Sequence, residues 1–218
     1  SSTIYLKRMN LQNYYWYFKK AIPEHLCDTI VRYGLSIQHQ MAVTGGYNND
    51  PKKLNARQVK DLKKKRNSDI VWIAENWLYK EIHPFLNLAN RSANWKFQWD
   101  HSESCQFTQY KKGQYYDWHC DSWEGAYNNP KDPNIHGKIR KLSSTLLVSD
   151  SKNFKGGELE FDFRNRDPNK KSQPQICREV CEKGDIVFFP SFVWHRVRPV
   201  KSGTRHSIVN WHLGWPFK

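Results

Sequence analysis

The stretch FFPSFVWHRVRPVKSGTRHSIVNWHLGW, residues 188–215, holds two runs rich in aromatic and β-branched residues, with turn-forming residues between them. His195 follows the first run and a Pro190–Ser191 turn, and Arg205 comes ten residues later. Runs of this kind on either side of Ser202–Gly203 predict two strands joined by a hairpin turn. In such a hairpin, Arg205 would come back beside His195.

The same strand pattern extends through the second half of the chain, from about residue 96 onward. Short segments of aromatic and β-branched residues alternate with turn residues, and no helical pattern lies between them. Many short strands without intervening helices indicate an antiparallel sandwich or barrel. The segments are KFQWD, SCQFTQY, LSSTLLVS, ELEFDF, DIVFF and SIVNWHL.

The first 95 residues are predicted to be mostly helical. Pro23 suits the start of a helix, and apolar residues from Leu26 to Ile37 keep to one helical face. A second apolar stripe runs at helical spacing from Ile70 to Ile82, and Pro84 is expected to stop or kink that helix. We interpret both stripes as core packing.

The composition fits one globular domain. With 218 residues, of which 15% are aromatic, the chain can bury a sizeable core and does not suit a disordered protein. It has no apolar run as long as a membrane span and no apolar signal-peptide region. Its five cysteines form no Cys-x-x-Cys pair and suit a reducing compartment. We therefore expect a cytoplasmic protein with no membrane segment.

The chain is strongly basic, with a net charge of +14 and an isoelectric point near 9.6. Such a charge suggests a nucleic-acid or acidic-protein partner, and the alternative is a solvated basic surface. The basic runs are scattered and lack interleaved aromatic residues, which favours the surface. They are Lys52–Lys53, Lys63–Arg66, Lys138–Lys141 and Lys170–Lys171.

The segment QYYDWHCDSW, residues 114–123, lies among these predicted strands. Residues i and i+2 of a strand point to the same face, so His119 and Asp121 are expected to project together. They supply two of the three ligands of a 2-His-1-carboxylate site, which holds Fe(II) and leaves coordination positions open. His101 and Glu103 have the same spacing and compete for this role.

His195 and Arg205 complete the pattern. A distal histidine would be the third metal ligand, and arginine is suited to bind a carboxylate through two parallel hydrogen bonds. Beside iron, the expected carboxylate is the far end of 2-oxoglutarate. Each residue alone is more simply explained as a turn or surface residue, but their order within one β-rich region favours the metal site.

Four segments of the chain resemble the Fe(II)/2-oxoglutarate-dependent dioxygenases, in particular the prolyl 4-hydroxylase-like branch that includes the PKHD-type hydroxylases. The resemblance covers residues 109 to 215, about half of the chain. Residues 122–139 between two of these segments are rich in Asn, Pro and Gly and are expected to form a mobile loop or lid. The four segments are QYKKGQYYDWHCD, RKLSSTLLVSDSKNFKGGELEF, KGDIVFFPSFVWHRVRPV and SGTRHSIVNW.

This resemblance implies a mainly β (α+β) fold, a cupin-like double-stranded β-helix or distorted jelly roll. Residues 1–218 would form one dioxygenase domain, in which a mostly helical region, 1–95, buttresses a catalytic core, 96–218. The iron ligands that the resemblance implies are His119, Asp121 and His195.

The resemblance also assigns the remaining site residues. Arg205 and Tyr110 would bind the distal carboxylate of 2-oxoglutarate, and Ser207 would add a hydroxyl. Position 147 is Leu where some prolyl hydroxylases have a tyrosine that helps to hold the cosubstrate. The substrate pocket would be lined by Tyr116, Trp211 and Arg140, although core packing is an alternative explanation of both aromatic residues.

The implied activity is hydroxylation of a peptidyl proline with release of succinate and CO₂. The cofactors would be Fe(II), 2-oxoglutarate and O₂, with ascorbate as reductant. The same chemistry on a free amino acid, another small molecule or a non-prolyl side chain stays open. A nucleic-acid oxidative demethylase ranks lower, because those enzymes have a second arginine where this chain has Trp211. An inactive basic binding module ranks lower too, because all the expected site residues are present.

Overall fold

The computed structural model describes residues 11–37, 39–41, 51–122, 125–163 and 173–218. Within these ranges the chain forms two β-sheets that face each other and three α-helices. The basic run Lys170–Lys171 and most of the glycine- and asparagine-rich stretch before Lys52 lie outside them. None of the helices in the described part of the chain is both long and apolar enough to span a lipid bilayer.

The helices are α1 (Glu24–Ser36), α2 (Ala56–Lys65) and α3 (Asn76–Ser92). Helix α1 begins directly after Pro23, as predicted. Helix α2 has a capping box, in which Asn55 and Gln58 exchange side-chain to backbone hydrogen bonds of 2.8 and 2.9 Å. Gly34 is buried inside α1, where an added Cβ would lie only 2.6 Å from the ring of Phe107. Glycine therefore lets α1 approach the sheet closely.

The predicted helix from Ile70 to Ile82 is wrong in its first half. Asp69–Ile73 forms a strand that pairs with two other strands, and the helix starts only at Asn76. Its β-branched residues Ile70, Val71 and Ile73 are buried and suit a strand, and periodicity alone does not separate a short apolar run from a helix. Pro84 does not end α3, which continues to Ser92. Packing of its apolar face outweighs the hydrogen bond that proline removes.

Nine strands of the described residues form the larger sheet. Seven of them follow the order β1-β12-β8-β14-β6-β4-β2, and β5 and β9 pair with parts of β14. The strands are β1 (Trp16–Phe18), β2 (Gln40–Met41), β4 (Asp69–Ile73), β5 (His101–Ser102), β6 (Cys105–Lys111), β8 (Ile139–Leu147), β9 (Phe154–Gly156), β12 (Ile186–Pro190) and β14 (Val200–Gly214). Three of these strands lie in the region predicted to be mostly helical.

The smaller sheet has the order β11-β10-β13-β7-β3. Its strands are β3 (Arg66–Asn67), β7 (Tyr115–His119), β10 (Leu159–Asp162), β11 (Gln175–Ile176) and β13 (Trp194–Val197). The segment KFQWD, predicted as a strand, is irregular. The other strand segments predicted after residue 96 contain strands of one sheet or the other, so the mainly β fold class is confirmed.

The predicted hairpin at Ser202–Gly203 is wrong. These two residues lie within β14, and the chain leaves β13 four residues earlier, at Arg198 and Pro199. Strand β13 pairs with β7 and β10 in the smaller sheet, whereas β14 pairs with β6 and β8 in the larger one. Arg205 therefore faces His195 across the space between the sheets and is not its hairpin neighbour.

The hydrophobic core has two main parts. The first lies between the helices and the larger sheet and includes Ile30, Leu78, Ile82, Phe107 and Phe188, all at most 1% exposed. Burying each such side chain contributes about 1.5–3 kcal/mol relative to exposure. The second part lies between the sheets, around Phe161 and Phe189. Together they fix the two sheets as the walls of one pocket.

Candidate metal centre

His119, Asp121 and His195 come together between the sheets. Each offers one metal-binding atom, and these atoms lie within 4.8 Å of one another. His119 and His195 are direct partners in the β7–β13 ladder. The Nε2 atoms of His119 and His195 lie 3.6 and 3.5 Å from the two carboxylate oxygens of Asp121. The competing pair, His101 and Glu103, is not part of this cluster.

Asp121 reaches the cluster by a different route from the predicted one. Strand β7 ends at His119, so strand alternation does not orient the carboxylate. Instead, the backbone N–H groups of Asp121 and Ser122 donate to the carbonyl oxygen of Ser191, at 2.8 and 3.0 Å. The Ser143 hydroxyl donates to Asp121 Oδ2 at 2.7 Å. The sequence analysis noted the turn at Ser191 but missed its contact with Asp121 and missed Ser143 altogether.

Backbone carbonyl groups fix both imidazole rings. His119 Nδ1 lies 2.7 Å from the carbonyl oxygen of Asp117, and His195 Nδ1 lies 2.9 Å from that of Val193. A carbonyl oxygen only accepts hydrogen bonds, so each Nδ1 carries the proton. Each Nε2 then has a lone pair directed at the cluster, which is the usual state of a metal-binding histidine.

Burial and neighbouring groups together set the charges of these residues. Burial lowers the pKa of His119 to about 3, with a further contribution from the neighbouring His195, so the His119 ring is neutral at neutral pH. Burial alone would raise the pKa of Asp121, but the two imidazoles, Arg140 and the Ser143 hydroxyl hold it below its usual value. The cluster thus presents neutral imidazole and an ionised carboxylate, the states that bind a divalent metal.

The donor set fits Fe(II). Two imidazole nitrogens and one carboxylate form the facial set that holds iron with open positions. A thiolate would favour softer metals, but the Cys120 thiol donates to the carbonyl oxygen of Ser122 at 3.2 Å and lies outside the cluster.

The opposite wall of the pocket carries Arg205, Tyr110 and Ser207. Arg205 on β14 is 3% exposed, and its Nη1 donates to Ser207 Oγ at 3.1 Å. Tyr110 on β6 is its direct partner in the ladder, and the guanidinium carbon lies 5.7 Å from the phenol ring centroid. No carboxylate among the described residues forms an ion pair with Arg205. A buried guanidinium in this setting is prepared to bind an anion.

Eight of the nine predicted site residues line one pocket, and Arg140 adjoins it. The Arg140 guanidinium carbon lies 3.9 Å from the Trp211 ring centroid, at the pocket rim. A second, wider groove, lined in part by Asp28, Lys183 and His206, contains none of the predicted site residues. The eight pocket residues are Tyr110, Tyr116, His119, Asp121, His195, Arg205, Ser207 and Trp211.

A sequence profile described as the 2OG-Fe(II) oxygenase superfamily matches residues 105–213, which is half of the chain. The chain belongs to this superfamily. The match covers β6 to β14, and therefore all the predicted site residues. The resemblance drawn from the sequence is confirmed at the level of the family.

Among curated relatives, a PKHD-type hydroxylase of Synechococcus sp. (strain CC9902) is 35% identical over 100 residues, 45% of this chain and 36% of that protein. The chain spans well under half the length of the curated relatives it matches. Two solved structures have TM-scores of 0.59. The viral collagen prolyl hydroxylase of Paramecium Bursaria Chlorella virus-1 is 20% identical, covering 94% of this chain and 98% of the other. The Pseudomonas putida prolyl-4-hydroxylase is 19% identical, covering 92% of each chain. These likenesses confirm the double-stranded β-helix fold.

Two aromatic residues flank the His-Asp-His cluster. The Tyr116 ring stacks on the His119 ring, with centroids 3.5 Å apart and planes inclined by 10°. Trp211 is 5% exposed, and its Nε1–H has no acceptor among the described side chains and backbone groups. A buried indole N–H without a partner is unusual. It leaves a hydrogen-bond donor in the wall of the pocket.

Glu103, which competed with Asp121 for the ligand role, lies beside the site but outside the cluster. It accepts hydrogen bonds from Arg140 Nε at 2.5 Å and Arg140 Nη2 at 3.2 Å, and from the Tyr127 hydroxyl at 2.7 Å. Glu103 therefore holds the pocket-rim arginine and ties down the segment that carries Tyr127. These partners lie 24 and 37 residues away along the chain, so spacing in the sequence does not identify them.

Arg66 is a further pocket residue that the sequence analysis missed. It was assigned to the basic run Lys63–Arg66, whose other members are exposed, but Arg66 itself is 4% exposed and lines the pocket. The segment 122–139 was predicted to be a mobile loop or lid, and residues 123–124 within it lie outside the described residues. In the remainder, Tyr127 and Gly137 form a backbone hydrogen bond of 2.9 Å.

Proposed function

We propose that this chain is an Fe(II)- and 2-oxoglutarate-dependent hydroxylase that acts on a peptidyl proline and releases succinate and CO₂. The observation that carries the proposal is that a His-Asp-His cluster faces the buried Arg205 across one pocket, and no carboxylate of the described residues forms an ion pair with Arg205. We further propose that residues 1–218 act as one domain, in which 1–95 support the core 96–218.

The ligands would be His119, Asp121 and His195. Iron bound there supplies the activation of O₂ that couples decarboxylation of 2-oxoglutarate to hydroxylation. Arg205 would bind the distal carboxylate through its guanidinium, with Tyr110 and Ser207 beside it. Charge-assisted hydrogen bonds of this kind contribute about 1.5–3 kcal/mol each. The pocket walls exclude water from the reacting groups.

Support for a prolyl substrate comes from the pocket and from the relatives. Trp211 provides a flat apolar surface on which a five-membered ring would pack, Tyr116 lines the same pocket, and Arg140 lies at the rim to contact a peptide. The two solved structures compared above are named a collagen prolyl hydroxylase and a prolyl-4-hydroxylase. Ascorbate would serve as reductant, as in the family that the sequence resembles.

The test measures succinate formation by the purified protein with Fe(II), ascorbate and 2-oxoglutarate, with and without proline-containing peptides. We expect peptide-stimulated turnover and a mass gain of about 16 Da on proline. His119→Ala is expected to abolish turnover. His101→Ala is the matched control, because it removes the histidine of the competing His101–Glu103 pair, which lies outside the cluster. If the wild type neither retains iron nor forms succinate, the proposal is wrong.

A further inference from the structure

Arg66 is a buried cation in the same pocket, and its contacts in the described residues are to uncharged groups. Its Nε donates to Ser68 Oγ at 2.9 Å, and its Nη2 donates to Gln106 Oε1 at 2.6 Å. Its guanidinium carbon lies 4.3 Å from the centroid of the Tyr116 ring. No carboxylate in the described ranges forms an ion pair with it. Arginine has five N–H donors, so the remaining ones are available to a ligand.

Burying a guanidinium without a counter-charge is expensive, because its hydration is lost and no opposite charge replaces it. Thr108 Oγ1 also donates to Gln106 Oε1, at 3.2 Å, so this amide oxygen receives two hydrogen bonds and is held in place. Ser68, Gln106 and Thr108 are themselves at most 3% exposed. These contacts orient Arg66 rigidly and leave its charge uncompensated.

The location of Arg66 relates it to the reaction. Its guanidinium lies over the Tyr116 ring, and the Tyr116 ring stacks on the His119 ring. Arg66 belongs to β3 of the smaller sheet, whereas Arg205 belongs to β14 of the larger one. The pocket thus has two buried arginines on opposite walls, and each contacts neutral side chains.

When iron and 2-oxoglutarate are bound, every positive charge of the pocket except that of Arg66 would have a negative partner. Under the proposed function, on which this inference rests, Fe(II) is balanced by Asp121 and the carboxylate of 2-oxoglutarate beside the metal. Arg205 is balanced by the distal carboxylate. Arg140 is balanced by Glu103. Arg66 remains, and electrostatic complementarity requires an anion there.

We propose that Arg66 binds a carboxylate of the substrate that is hydroxylated. Arginine binds a carboxylate through two parallel hydrogen bonds, which orients the ligand as well as holding it. The carboxylate would belong to a free amino acid or to an acidic residue next to the proline of a peptide. In either case, Arg66 would hold this carboxylate on the far side of the Tyr116 ring from His119.

The first step of the test separates this inference from the proposed function. Binding of 2-oxoglutarate to the Mn(II)-loaded protein is measured by titration calorimetry for the wild type and for Arg66→Gln. We expect the two proteins to bind 2-oxoglutarate equally. A wild type that fails to bind it would remove the proposed function and this inference with it. Loss of 2-oxoglutarate binding in Arg66→Gln alone would assign Arg66 to the cosubstrate and overturn the inference.

The second step uses pairs of probes that differ in one carboxylate. L-Proline is compared with L-prolinamide, and a proline peptide with glutamate beside proline is compared with its glutamine counterpart. The first pair tests a free amino acid, and the second tests an acidic peptide. With Mn(II) and 2-oxoglutarate bound, we expect the acid of at least one pair to bind more tightly than its amide.

In Arg66→Gln, the Kd of that acid is expected to rise by about ten- to hundredfold, while the Kd of its amide changes by less than about twofold. Lys65→Gln removes a neighbouring exposed charge and should leave the Kd of the acid and the Kd of the amide unchanged. Arg66→Lys keeps the charge without the paired donors and should give an intermediate Kd, which provides a second variant if the first folds poorly. An acid preference that survives in Arg66→Gln, or no acid preference in either pair, would overturn the inference.

Discussion

The hydroxyl of Ser143 donates a hydrogen bond of 2.7 Å to Asp121 Oδ2. This uses the only hydroxyl proton of Ser143, so the contact of 2.9 Å between Ser143 Oγ and Ser191 Oγ must be donated by Ser191. The backbone N–H of Asp121 in turn donates to the Ser191 carbonyl oxygen. The carboxylate is thus fixed by β8 and by the turn after β12, and a fixed ligand is reorganised less when metal binds.

We predict that Ser143→Ala weakens metal binding by about ten- to hundredfold, the range for loss of a hydrogen bond to a metal ligand. Titration of the apoprotein with Mn(II) measures this. Ser144→Ala is the matched control: Ser144 is the buried neighbour, and its hydroxyl donates instead to the carbonyl oxygen of Asn210. Equal affinities of the two variants would mean that the contact with Asp121 does not orient the ligand.

Gly157 leaves room for the side chain of Arg205. An alanine Cβ at Gly157 would lie 2.8 Å from Arg205 Cδ, and its φ of +68° disfavours any L side chain. We predict that Gly157→Ala raises the KM for 2-oxoglutarate by about tenfold through displacement of the guanidinium. Gly113→Ala is the control, because Gly113 has a φ of +81° but no atom within 4 Å of the added Cβ. A KM raised equally in both variants would point to backbone strain alone.

The residues that come together in the pocket were easier to predict from the sequence than the hydrogen bonds that hold them in place. His119, Asp121, His195 and Arg205 were predictable because each residue type has a distinct chemical role and their order is informative. Glu103 was not, because the same residue type is usually a surface charge. Its importance comes from partners brought close only by folding, over 24 to 37 residues of chain.

The fold errors have a similar physical origin. The apolar spacing from Ile70 onward fits a helix and a short apolar strand equally well, and pairing of β4 with β6 decides between them. Ser202–Gly203 has the composition of a turn, but pairing with β9 and β6 keeps these residues and those that follow in β14. Local composition does not report which sheet a strand joins.

Glu103 is predicted to hold the segment from Gly125 to Lys138 through Tyr127. We expect Glu103→Gln to increase hydrogen exchange in that segment, because the amide loses the charge-assisted bonds to Arg140 and keeps at most a weaker bond to the Tyr127 hydroxyl. Exchange measured by mass spectrometry is the readout. Glu160→Gln, which breaks a comparable ion pair of 2.6 Å with Arg196 on the other sheet, should leave the segment unchanged. Increased exchange in both variants would indicate general loosening.

Buried imidazoles should make the apoprotein sensitive to acid. Burial lowers the pKa of His206 to about 4, with contributions from His39 and Arg205, and lowers that of His119 to about 3, from a usual value of 6.5. Between these values and 6.5, the unfolded chain binds protons that the folded chain does not. The free energy of unfolding therefore rises with pH across this window. The contribution of these two histidines to stability is lost progressively as pH falls below about 6.5.

The variant His206→Gln removes one of these groups. We predict that the slope of unfolding free energy against pH between about 4 and 6.5 decreases by at most about 1.4 kcal/mol per pH unit, the value for one proton. Urea unfolding of the metal-free protein at a series of pH values gives the slope. Above about pH 8 the curves of wild type and variant should run parallel, because His206 is neutral in both the folded and the unfolded chain there. An unchanged slope below pH 6.5 would show that His206 takes up its proton equally in the folded and unfolded states, which contradicts its lowered pKa.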